Sequence, residues 1–175
     1  MFKGFKNKSV GKVIDSQIKK RSVYTGAIKL KSLAVLIDAR KDFDILSVVK
    51  LADKLGVRSD QLKIMGLKET TKSGSIEDSS GGASYFDEKG IGYAGGFKSS
   101  SLNNFVKEPF DVLINFYSSD IPHLNLVAAS SNAKFKVGFA DVDHRINDLV
   151  IGTPPDNIDL FISELKKYLK ILNII

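Results

Sequence analysis

The chain has 175 residues and not one cysteine. Disulfides, thiolate metal sites and cysteine nucleophiles are thereby excluded. Only two histidines occur, His123 and His144, 21 positions apart. That spacing gives little scope for a histidine-based zinc site, so no metal and no cofactor is expected. Long apolar runs are missing too. Before residue 33 the longest is two residues, whereas a secretory signal needs roughly 7–15. No window approaches the ~18 apolar residues of a membrane span. A cytoplasmic location is the expectation. No Ser/His/Asp order, paired catalytic carboxylates, Walker loop or kinase signature is present, so no catalytic residue is expected.

What is present suits one folded domain. The length is sufficient for a sizeable core. Apolar content of 43% and charged content of 26% are ordinary for a globular chain. The net charge of +6 is unevenly placed: residues 1–32 hold nine Lys/Arg against Asp15 alone, and the remainder is slightly acidic. Such asymmetry points to a polyanion-binding arm rather than a generally basic protein. On a helical wheel Val10, Val13, Ile14 and Ile18 share one face, and Lys8, Lys12 and Lys19 the opposite one. A helix over about 8–21 is predicted, weakened by Gly4 and Gly11. Its apolar stripe can lie on the domain while its lysines meet solvent, nucleic acid or a membrane surface.

From Ser32 the pattern changes. Leu33–Ala39 is a short apolar run without alternation, as in a strand buried on both faces of a parallel sheet. A helix follows, with Asp42 or Asp44 as cap and Gly56 as stop. Residues 61–67 read as the next strand. Residues 68–104 read as a flexible Gly/Ser-rich segment with a short strand at Ser84–Phe86. Phe110–Tyr117 and Phe135–Phe139 are clear strands flanking a helix that opens at Pro122. Asp148–Ile151 reads as an edge strand. A closing helix starts around Pro154–Asp156, with acids early and lysines late. The expected fold is a three-layer Rossmann-like α/β domain (residues 32–175) with a mostly parallel sheet, plus a basic N-terminal helical extension (residues 1–31).

Three motifs carry possible chemistry. Gly90, Gly92 and Gly95 spell G-x-G-x-x-G, but the flanking FDEKG and FKSSSLNNF supply no convincing apolar strand–helix frame, so a loop is expected rather than a dinucleotide site. The carboxyl ends of the parallel strands offer a candidate ligand crevice formed by Asp38, Arg40, Asn115, Ser118, Ser119 and His123. The same residue types also serve as caps and turns. Asp141–Arg145 offers two carboxylates and an imidazole in a spacing that matches no familiar metal site.

The stretch Glu108–Phe139, ending in "AKFKVGF", resembles an uncharacterised bacterial family of small α/β proteins with a basic N-terminal helix. Residues 1–40 and 105–172 fit that outline, and the resemblance implies no activity. The same stretch is locally similar to the N-terminal domain of heptosyltransferase-type glycosyltransferases. That likeness implies a shared fold without the domain that binds nucleotide sugar.

Three functional expectations follow. The first is a non-catalytic protein whose arm contacts RNA or a ribonucleoprotein, with ribosomal RNA or a ribosome-associated surface as the expected partner. Lys3, Lys6, Lys8, Lys12, Lys19, Lys20 and Arg21 would neutralise phosphates. The second is a small-molecule binder or transferase-like enzyme using the strand-end crevice. The third is peripheral membrane association through the arm.

Overall fold

Leu33–Asp38 forms β1, and the absence of alternation in its sequence has a simple cause. Ala34 and Leu36 face one apolar core, and Leu33, Val35 and Ile37 face another. A strand with both faces covered needs apolar residues at every position. The computed structural model describes residues 2–71, 78–80 and 82–175, with backbone alone for 2–7 and 78–80.

Among the described residues a seven-stranded sheet is built around β1 from β2 (Leu62–Leu67), β3 (Asp78–Ser80), β4 (Ala83–Phe86), β5 (Val112–Phe116), β6 (Phe135–Phe139) and β7 (Leu149–Ile151). The order is β3-β4-β2-β1-β5-β6-β7, with every neighbour parallel except the edge strand β3. The chain winds outward from β1 through β2 to β4, then crosses back to β5 and winds the other way. This is the doubly wound, Rossmann-like arrangement, with its switch point between β1 and β5.

Among the described residues five helices cover the sheet: α1 (Phe2–Lys20), α2 (Ile45–Lys54), α3 (Ser100–Lys107), α4 (Pro122–Ser130) and α5 (Ile158–Ile171). Helices α1, α3 and α4 close one face; α2 and α5 close the other. Local chemistry sets their ends. The Asp44 carboxylate accepts from the Leu46 amide at 3.0 Å and opens α2, and Gly56 at φ +77° stops it. Pro122 opens α4. Asn157, rather than the preceding Pro-Pro-Asp, caps α5 through the Leu160 amide. Under α5, Phe116, Phe139 and Phe161 form an aromatic cluster with centroids 4.5–5.5 Å apart.

The segment 68–104 departs from the flexible stretch expected of it. Residues 72–77 and 81 lie outside the described residues, but 82–104 is well organised. It holds β4, a single 3-10 turn at Glu88–Gly90 and the first part of α3. In α3 the Ser99 hydroxyl accepts from the Leu102 amide at 3.1 Å, and Leu102, Phe105 and Val106 are buried. Its polar Ser and Asn residues hide the three apolar positions that define it.

The G-x-G-x-x-G stretch is a tight hairpin-like turn. Gly92 and Gly96 are joined by an amide–carbonyl bond of 2.8 Å, and Ile91 bridges Phe97. Gly95 sits at φ +76°, and a Cβ there would come within 2.8 Å of the Val13 side chain. The Ser9 hydroxyl donates to the Tyr93 carbonyl at 2.7 Å. The turn is the seat of α1, not a phosphate cradle.

Gly95→Ala should therefore destabilise by about 1–3 kcal/mol, from left-handed backbone strain plus displacement of Val13. Thermal melting should fall by about 3–10 °C. Gly11→Ala is the control: nothing lies within 4 Å of a Cβ at Gly11, so helix propensity should raise stability by up to about 1 kcal/mol. Equal melting temperatures for Gly95→Ala and wild type would remove the turn from the docking of α1.

Candidate nucleic-acid interface

Helix α1 is amphipathic, and the fold uses both sides of it. Val10 is 0% exposed and Ile14 7%, and both belong to the core shared with α4 and the sheet. Val13 and Ile18 pack at its margin. Two ion pairs fix the helix at its carboxyl end. Arg21 grips Asp148 at 2.5 Å and reaches the Ile146 carbonyl; Asp15 pairs with Arg145 at 2.9 Å. Arg21, expected among the RNA-contacting residues, is thus committed to holding the helix in place.

Lys8, Lys12, Lys19 and Lys20 are exposed. Among the described residues no carboxylate pairs with any of them. Lys8, Lys12 and Lys19 lie within one narrow stripe, a row about 16 Å long at 1.5 Å per residue. The side chains of Lys3 and Lys6 lie outside the described residues.

Beyond the end of α1 the chain crosses the amino ends of the strands. There it borders a polar concavity of about 410 Å³. Gln17, Lys20, Arg21, Ser22 and Tyr24 form one wall, and residues 129–134 form the other. Asp111 ties the crossing chain to the second wall. Its carboxylate accepts from the Lys31 and Ser32 amides, both at 3.0 Å, and pairs with Lys134 at 2.7 Å. Burial alone would raise the Asp111 pKa; the Lys134 ammonium and the two amides outweigh it and hold it below the usual carboxylate value.

Lys136 lies under this concavity. Its side chain is fully buried and donates to the Ala128 carbonyl at 2.7 Å, capping the end of α4 from below. Burial lowers its pKa to about 7; the Arg21 charge lowers it further and Asp148 opposes. Gly138, two residues on, has no room for a side chain because the Asn147 amide lies where a Cβ would stand. Asn147 there accepts from the Asn115 amide at 2.7 Å. The "AKFKVGF" stretch is accordingly a set of structural fittings: Lys134 for Asp111, Lys136 for α4 and Gly138 for Asn147.

The crevice at the carboxyl ends of the strands is smaller, about 170 Å³. Asp38, Ser118 and Ser119 line it, as expected. Arg40 clasps Asp38 with two bonds of 2.8 and 2.9 Å, and this pairing lowers the Asp38 pKa. Asn115 is not in the crevice; it points to the α4 side and bonds Asn147. His123 is buried, with Nδ1 3.9 Å from a Glu88 oxygen. Tyr117 donates to Asn125 at 2.9 Å, and Asn125 in turn donates to Asp120. In the Asp141–Arg145 loop, Asp143 caps a 3-10 turn and clasps Arg145, and among the described residues no acid–histidine group is arranged to hold a metal.

Sequence reasoning missed Tyr24 and the polar residues after α4. Tyr24 carried a usable signal as an aromatic within the basic first 32 residues. The wall at 129–134 carried none, because only the fold brings it beside α1.

The chain belongs to a family of proteins of unknown function, DUF6913, whose model matches residues 6–172. The match begins within α1, so the family's unit includes most of this helix. No curated protein and no solved structure matches the chain. Among the described residues no helix is long and apolar enough to cross a membrane.

The state of Lys136 makes a measurable prediction. Unfolded, its pKa is near 10.5; folded, it is about 7. Between these values the unfolded chain binds more protons, so this group makes stability rise with pH from about 7 to about 10. Lys136→Met should reduce that rise by about 3–5 kcal/mol in urea titrations across the range. A rise of the same size in the variant would show that the buried amine is not its source.

Proposed function

We propose that this member of the DUF6913 family is a non-catalytic protein that contacts RNA through the outer face of α1, in the cytoplasm. The observation that carries the reading is that Lys8, Lys12, Lys19 and Lys20 have no acidic partner among the described residues, on a helix whose other face is locked into the core. Cations on a docked helix need no backbone ordering to meet phosphates, and each contact releases counterions. A ribosomal RNA or another ribonucleoprotein surface is the partner class proposed.

The other readings draw less support. A bilayer would need the apolar face of α1, and Val10 and Ile14 are buried against the body. The strand-end crevice is smaller than the roughly 300–1,000 Å³ usual for small-molecule sites, and its one acid is clasped by Arg40. We take the local likeness to heptosyltransferase-type glycosyltransferases as a likeness of fold.

The test is replacement of Lys8, Lys12, Lys19 and Lys20 by Gln. Affinity for single-stranded RNA should fall steeply, and the slope of log affinity against log salt should flatten by about 3. An unchanged slope and affinity would overturn the proposal, as would flotation of the wild type with anionic vesicles but no retention of RNA.

A further inference from the structure

The stripe on α1 explains attraction to phosphate but leaves the 410 Å³ concavity beside it without a role. Its volume lies within the range of small-ligand sites. Its chemistry is mixed in a particular way. Lys20 stands at one rim, next to Lys19 at the end of the stripe. The opposite wall is the carboxyl end of α4, where helix carbonyls end and the dipole is negative. Lys134 on this wall is already paired with Asp111, so what the wall offers a ligand is mainly acceptors, which suit a group bearing N–H donors. Ser130, Ser131 and Asn132 add further polar groups there.

Tyr24 completes the arrangement. It lines the concavity and remains 44% exposed. Its position is set by Gly26: a Cβ there would stand 2.7 Å from the Tyr24 hydroxyl and 2.8 Å from the ring. The ring therefore rests against bare backbone. The Lys134 ammonium lies 5.7 Å from its centroid. An aromatic held in place at the mouth of a polar concavity, with cations on one rim and hydrogen-bond acceptors on the other, matches a nucleotide in all three parts. The phosphate meets Lys19 and Lys20, the base stacks on Tyr24, and its amino or imino hydrogens meet the end of α4.

We infer that this concavity receives one unpaired base of a single-stranded RNA, with Tyr24 as the stacking platform. The inference rests on the RNA reading of α1 and narrows it from polyanions in general to single strands. Base–aromatic stacking tolerates any base, so little sequence preference is implied.

The experiment compares three probes by fluorescence anisotropy: a short single-stranded oligoadenylate, an RNA duplex of similar charge, and inorganic polyphosphate. Tyr24→Leu should weaken oligoadenylate binding by about 5- to 100-fold and leave polyphosphate unchanged. Tyr24→Phe should behave as wild type. Ser130→Leu, which narrows the concavity while sparing ring and lysines, should copy Tyr24→Leu. Equal losses on oligoadenylate and polyphosphate, or no loss on oligoadenylate, would overturn the inference, as would tighter wild-type binding of the duplex. If Tyr24→Leu has no effect while the four-lysine variant loses RNA, the base site falls and the α1 reading stands. If wild type retains none of the RNA probes, both fall.

Discussion

The burial of Val10 and Ile14 is the constraint on which the rest depends. With no room to leave them in water, α1 must lie on α4 and the sheet, and its lysines must then point outward. The glycine turn at 92–96 exists to admit Val13. The Arg21–Asp148 pair fixes where the helix ends, and so where the chain starts its passage across the strand ends toward β1. The basic segment is thus part of the architecture: the same packing that closes the first core displays the charge.

That arrangement gives several ordinary-looking residues two obligations. Asp111 immediately precedes β5, yet it also ties down the amides of Lys31 and Ser32 and the ammonium of Lys134. Asp148 precedes β7, yet its carboxylate also takes the Lys136 amide at 2.8 Å and the Arg21 guanidinium. Both carboxylates sit where a chain segment from the N-terminal side meets the amino end of the sheet. Each is far from its partners in sequence, so neither role is visible until the chain has folded.

This separates what was legible from what was not. The parallel strands announced themselves as unbroken apolar runs, and α2, α4 and α5 by their caps and stripes. The amphipathic face of α1 was plain from the wheel. By contrast α3 hides its three buried residues among Ser and Asn, and the glycine turn resembles a phosphate loop until Val13 is seen against it. Asn115 and His123 stood beside crevice residues in sequence but point elsewhere in space, because side chains alternate across a strand and a helix follows at once. Tyr24 and the end of α4 approach each other only through the long crossing between α1 and β1.

The same contrast bears on where to look for function in this fold. Doubly wound sheets bind ligands at the carboxyl ends of their strands, because loops there diverge and helix N-termini gather. In this chain that end is tightened: Arg40 clasps Asp38, and the Tyr117–Asn125–Asp120 chain binds the start of α4 to its preceding loop. The larger polar opening lies at the opposite end, where the crossing segment stands off the sheet and α4 presents its carbonyls. Lys136 satisfies the Ala128 carbonyl, and at 3.4 Å approaches that of Ala129, from within the core. The Ser131 hydroxyl accepts from the Ala133 amide and the Asn132 amide donates to the Lys107 carbonyl, so the 129–132 wall is itself held in place. With α1 and the crossing segment on that side, the larger of these two polar openings lies at the amino ends of the strands.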